Sequence, residues 1–173
     1  YPVGINNVAL GDTALDDGSL SGNNNTAIGK ATLTGNTSGG ENTAVGTNAL
    51  QTNSTGSNNV GLGVNALQSN TACNNTAVGY QAAYNNTTGT QNTALGRVAM
   101  LTNTTGNYNV SVGSVALYYN TSGSNNVALG TQALNNNTTA SNNTAVGYQS
   151  LKVNTTGAQN TAIGRLALDA NTT

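Results

Sequence analysis

The chain has no histidine, no tryptophan and no phenylalanine, a single proline and a single cysteine. Charge is nearly missing too, with four Lys and Arg against five Asp and Glu in 173 residues. Each shortage removes a class of function. Without histidine there is no Ser-His-Asp arrangement and no imidazole metal ligand. Cys73 alone cannot close an intrachain disulfide. Four scattered cations make no patch that would neutralise phosphates, so nucleic-acid binding is not expected. No stretch approaches the roughly 18 apolar residues of a membrane helix, so membrane insertion is not expected either. No signal-peptide pattern opens the sequence, which is compatible with a secretion signal that was removed or lies upstream.

What remains is Asn, Gly, Thr, Ser and Ala, a composition that by itself would suit a disordered, low-complexity segment. The order of the residues argues otherwise. Taking one Gly per unit as anchor gives Gly11, Gly29, Gly46, Gly63, Gly79, Gly96, Gly113, Gly130, Gly147 and Gly164. Seven of the nine intervals are 17 residues; the first is 18 and one is 16. The unit reads N-[TV]-A-[VIL]-G-x-x-A-L-x-x-N-T-T-G-x-N.

Several columns of this repeat hardly vary. Four residues before each anchor stands Asn: Asn7, Asn25, Asn42, Asn59, Asn75, Asn92, Asn109, Asn126, Asn143 and Asn160. The residue just before the Gly is always aliphatic, from Leu10 and Ile28 to Val146 and Ile163. Seven after the Gly, Asn recurs from Asn36 to Asn171, with Gly18 the exception, and a Thr or Ser follows it in every unit. Disorder makes no such demands, whereas stacking does, because in a β-solenoid equivalent residues of successive coils lie about 4.8 Å apart in ladders. Stacked Asn can pass amide hydrogen bonds along the rod while satisfying turn backbone. A Gly at a corner supplies positive φ or room for close approach. The expected fold is all-β: a parallel β-solenoid of about ten 17-residue coils, one unit over residues 1–173, on the order of 48 Å long.

Within a coil, [TV]-A-[VIL]-G reads as a short strand, x-x-A-L as a second strand, and N-T-T-G-x-N as the turn onward. The aliphatic column is expected to fill the narrow core. The Ala column two before the Gly then lies on the opposite face, against either another strand of the same coil or a second chain. The units start in phase at Gly4-Ile5-Asn6-Asn7 and run to Asn171-Thr172-Thr173 with no visible cap, which suggests a segment of a longer fibre or a subunit covered by its neighbours.

The stretches Asn75-Thr76-Ala77-Val78-Gly79-Tyr80-Gln81-Ala82 and Asn143-Thr144-Ala145-Val146-Gly147-Tyr148-Gln149-Ser150-Leu151 resemble repeats of bacteriophage and bacterial tail-fibre-like surface proteins. They are also similar to the N-x-x-A-[IV]-G head repeats of trimeric autotransporter adhesins. That resemblance implies a left-handed parallel β-roll, three chains side by side and adhesion to host surfaces. It implies an extracellular, cell-surface or virion location.

Candidate chemistry is sparse. Asp12, Asp16, Asp17 and Glu41 gather in the first two coils, where solvated surface charge is the simpler reading than a cation site or a carboxylate pair. Cys73 lies in the shortened coil and reads as a neutral substitution. Neither a metal site nor a cofactor is expected, and no catalytic set. Tyr80 and Tyr148 share one column and Tyr84 and Tyr118 another; they offer partly exposed packing or platforms for sugars. The Thr ladders raise ice binding as an alternative, with the objection that N-T-T lies on a turn instead of flanking one inward residue on a flat strand. Asn103-Thr104-Thr105 and Asn154-Thr155-Thr156 are glycosylation sequons by pattern. The expectation is a structural or adhesive fibre segment, not an enzyme. Its partners would be other copies of itself, as a trimer or an end-to-end filament, together with surface glycans or a receptor. The alternatives are an ice-binding solenoid and a self-assembling filament subunit.

Overall fold

A computed structural model describes residues 5–172, so the opening Gly4 and closing Thr173 of the phase argument lie outside the described residues. Ten three-residue strands follow one another: β1 Val8–Leu10, β2 Thr26–Ile28, β3 Thr43–Val45, β4 Val60–Leu62, β5 Thr76–Val78, β6 Thr93–Leu95, β7 Val110–Val112, β8 Val127–Leu129, β9 Thr144–Val146 and β10 Thr161–Ile163. They form one sheet in sequence order. Every pairing is parallel and in register, Thr26 beside Thr43 and Ala77 beside Ala94. The protein is a parallel β-solenoid with one strand per coil, and no helix occurs among the described residues. Nine steps of about 4.8 Å give a sheet roughly 43 Å long.

Which face of the strand turns inward is the reverse of the sequence expectation. The Ala column is the core: Ala27, Ala44, Ala77, Ala94, Ala128 and Ala145 are wholly buried. The aliphatic column before the Gly is outside, with Leu10, Ile28, Val45, Leu95, Leu129 and Ile163 all exposed. The small column is therefore occluded by the coil itself and needs no second chain. The interior is filled from the return side of the coil by the Ala and Leu columns, represented by Ala49 and Leu50 or Ala116 and Leu117, all fully buried. A Leu reaching across to a strand leaves room there only for a methyl group, which sets the column to Ala. Where Ser111 replaces that Ala, its hydroxyl donates to the Ala116 carbonyl at 2.8 Å and stays satisfied.

The return segment x-x-A-L is not a strand. Successive strand residues face opposite ways, yet Ala49 and Leu50 both point inward. The backbone manages this by placing alternate residues in the left-handed region, Asn48 at φ 56° and Leu50 at φ 50°. The same alternation recurs at Val98 and Met100 and at Val115 and Leu117. For a non-Gly residue that region costs about 1–2 kcal/mol. Coil-to-coil hydrogen bonds offset it: Leu50 N donates to Ala66 O at 3.0 Å, and Asn48 N donates to Lys30 O at 2.9 Å. The segment is thus laddered like a sheet without having a strand's backbone.

Candidate functional site

Two buried Asn ladders define the inside of each turn. In the first, the backbone N–H of one Asn donates to the Oδ1 of its equivalent one coil earlier, as in Asn92 to Asn75 at 2.9 Å and Asn109 to Asn92 at 3.0 Å. In the second, seven residues after each Gly, amide donates to amide: Asn103 Nδ2 to Asn86 Oδ1 and Asn120 Nδ2 to Asn103 Oδ1, both 2.7 Å. The ladders meet on one carbonyl per coil. Gly106 O accepts from Asn92 Nδ2 at 2.8 Å and from Asn103 Nδ2 at 3.0 Å, which uses both lone pairs. Among the described residues, Asn36 Oδ1 and Asn160 Nδ2 are the only buried side-chain polar atoms left without a partner. These ladders hold the fold, buried through the middle coils and half-buried only at Asn7, Asn160 and Asn171.

Other turn columns are likewise committed inward. The hydroxyl after the second Asn donates to the next coil's backbone, Thr87 Oγ1 to Thr104 O and Thr104 Oγ1 to Thr121 O, each at 2.9 Å. Those protons are not free to order water. Both example sequons are closed to glycosylation in the folded chain, because Asn103 and Asn154 are fully buried and hydrogen-bonded.

Cys73 has a defined place, which its sequence context did not reveal. The Ser57 N–H donates to Cys73 Sγ at 3.3 Å. The same position elsewhere supplies Ser57 Oγ to Gly40 N and Ser141 Oγ to Ser124 N, both at 3.0 Å. Cys73→Ser is expected to keep or slightly raise the melting temperature, since a hydroxyl is the better acceptor. Cys73→Val is expected to cost about 1 kcal/mol by stranding the Ser57 N–H; equal melting of the two variants would contradict this role.

The acidic residues do not converge. No group of three His, Cys, Asp or Glu able to hold a metal occurs among the described residues. Asp17 is capped by the Ser19 hydroxyl and the Ser19 N–H, and these bonds lower its carboxyl below the ordinary range. Its side chain is half-buried. A shallow groove of about 370 Å³ near Glu41 is lined by Ser and Asn residues and backbone and contains no aromatic ring.

Among the described residues, the rod offers its surroundings an outer strand face and an aromatic groove. On the strand face, the [TV] and [VIL] columns flank the inward Ala, so Thr93 and Leu95 project together while Ala94 is buried. This pair repeats in register over all ten strands, giving a continuous aliphatic stripe beside a Thr/Val stripe. The strand column places Thr or Val on one side of an inward residue and an aliphatic residue, not a second Thr, on the other, and Val8, Val60, Val110 and Val127 interrupt its hydroxyls. Beyond the Gly corner, Tyr80, Arg97, Tyr118 and Tyr119 line a groove of about 490 Å³ together with Gln81 and Gln132. No protein-family model matches the chain, and neither does any curated protein or solved structure.

Proposed function

We propose that the chain is a segment of a structural fibre, a stiff rod whose outer strand face seals against the same face of neighbouring copies. The observation that carries this reading is the outward aliphatic column, exposed at Leu10, Ile28, Val45, Leu95, Leu129 and Ile163 and half-buried at Leu62, Val78, Val112 and Val146. An apolar patch of a few hundred Å² on a folded chain is often a functional surface. The partner is another copy because the stripe repeats at the pitch of the sheet, so an identical stripe meshes with it coil for coil. The strip is roughly 43 Å long and about 7 Å wide between its columns, on the order of 300–400 Å² per chain. That lies below the roughly 800 Å² per partner of a standard interface, so association of ten coils is weak and strengthens with every coil added.

The test is sedimentation across a wide concentration range. The unaltered chain is expected to show reversible, concentration-dependent association, while Leu95→Lys with Leu129→Lys remains monomeric with unchanged melting. An unaltered chain that stays monomeric at every concentration, or a double variant that associates equally, would refute the reading.

A second reading, an ice- or water-ordering face, is favoured by the same in-register array of Thr and aliphatic side chains around an inward Ala. It is distinguished by thermal hysteresis and recrystallisation assays, in which absence of any activity removes it.

A further inference from the structure

Both arginines of this chain stand in the same column, directly after a corner Gly, and each follows a tyrosine of that column by one coil. Arg97 follows Tyr80 and Arg165 follows Tyr148. Four coils separate the two pairs, roughly 19 Å along the rod. Gln81 and Gln149 sit beside the tyrosines in both copies. A chain with only four cations has thus placed half of them next to tyrosines in a duplicated Gly-Tyr-Gln then Gly-Arg arrangement. The Tyr148 copy is closed on itself, with the Arg165 guanidinium carbon 5.8 Å from the centre of the Tyr148 ring. The Tyr80 copy is open. There Tyr80 is 49% exposed and Tyr119 50% exposed, at the border of one groove with Arg97. Tyr118 packs edge-on against Tyr119 with ring centres 4.6 Å apart and holds that ring in place.

We propose that this groove binds a saccharide chain carrying carboxylate groups. Each part has a chemical reason. Exposed tyrosine rings present flat apolar faces to the C–H faces of sugar rings and keep a hydroxyl for polar contact. Gln81 and Gln132 are half-buried at the groove wall; the Gln81 amide offers a donor and an acceptor to sugar hydroxyls, and Gln132, whose Oε1 accepts from Gln149 Nε2 at 2.6 Å, offers its Nε2 as a donor. Arg97 is exposed, and no Asp or Glu lines the groove to neutralise it, so its planar fork is free for a ligand carboxylate. A neutral sugar would leave that charge unused. The groove lies across the Gly corner from the aliphatic stripe, so the inference stands independently of lateral association.

The experiment is a titration of the full chain with polygalacturonate oligomers, and with dextran as the uncharged comparison. Polygalacturonate is expected to bind and dextran to bind at least tenfold more weakly. Arg97→Gln, and separately Tyr80→Ala with Tyr119→Ala, should each weaken polygalacturonate at least tenfold. Tyr108→Ala, an exposed tyrosine in a different column, should leave it unchanged. Arg97→Gln and Tyr108→Ala alter exposed side chains and should leave the melting temperature unmoved, whereas losing the Tyr118–Tyr119 contact should lower it slightly in the double tyrosine variant. Three results would overturn the proposal: no binding of polygalacturonate, equal binding of dextran, or a Tyr108→Ala loss as large as that of the groove variants.

Discussion

Gly113→Ala is expected to lower the melting temperature by roughly 10 °C or to split the unfolding transition into two. Two effects coincide there. Gly113 has φ 133°, a conformation that a side chain rarely adopts, and such strain costs on the order of 1–3 kcal/mol. A Cβ at this position would also lie 2.6 Å from the Gly130 carbonyl carbon and 2.7 Å from its oxygen. That neighbour is the backbone of the next coil, held by its own ladder, and cannot swing aside. In a molecule built of nearest-neighbour layers, a displaced coil weakens its two interfaces and divides the cooperative unit. The control is Gly61→Ala. Gly61 sits in the inward column that most coils fill with Ala, and its added methyl would touch Ala66 O and the Leu50 side chain at 3.3 Å. A flexible Leu can give by a few tenths of an ångström, so the change should stay within about 1 kcal/mol of zero. Calorimetry of both variants is the measurement. Equal melting of Gly113→Ala and the unaltered chain would show that the corner tolerates a side chain.

Asn109→Leu should be almost as damaging. Asn109 Oδ1 accepts the Asn126 N–H at 3.0 Å, and Asn109 Nδ2 donates to Gly123 O at 2.9 Å. Leu has similar bulk but returns neither bond. The Gly123 carbonyl keeps its second donor, Asn120 Nδ2 at 2.9 Å. The Asn126 N–H has no other acceptor nearby in its ladder, and a buried unpaired donor costs about 1–3 kcal/mol. A melting-temperature loss of roughly 5 °C or more is expected. Asn109→Asp supplies a sharper test by pH. It keeps the acceptor for Asn126 but turns a second carboxylate oxygen towards the Gly123 carbonyl, so burial and repulsion raise its folded-state pKa. A raised pKa means the folded state binds the proton more tightly than the unfolded one. The variant is therefore most stable below the unfolded carboxyl value of about 3.9, and loses that stability as pH rises through the folded value. If Asn109→Asp melted no higher at acid pH than at neutral pH, relative to the unaltered chain, the ladder assignment would fail.

The period, the stacking and the identity of the ladder residues were legible from the sequence because each is a property of columns. Asn75 and Asn92 had to be neighbours once 17 residues made one coil, and they are. Which face of the strand turns inward was not legible on the same grounds. Ala94 and Leu95 are both apolar, and alternation alone does not say which of two apolar columns is inside. The deciding clue lay elsewhere in the unit. Ala99 and Met100, like Ala49 and Leu50, are adjacent and nearly unvarying as an apolar pair. Two neighbouring residues that must both be buried rule out a strand, require a curled backbone and bring a long side chain across to the sheet. With a Leu or Met arriving from that side, only Ala fits opposite. The aromatic groove was half-visible: the shared column of Tyr80 and Tyr148 could be read, but its combination with Tyr118 and Tyr119 from two coils away needed the coil geometry.

The hydrogen bonds that join one coil to the next all run along the rod. A pull applied at the two ends would therefore load them one layer at a time instead of shearing many at once. Each layer that let go would free 17 residues, roughly 55 Å of extended chain in place of a step of about 4.8 Å. The rod would resist bending and compression as a stiff column, yet lengthen under tension by large, evenly sized jumps, dissipating a sudden load instead of snapping.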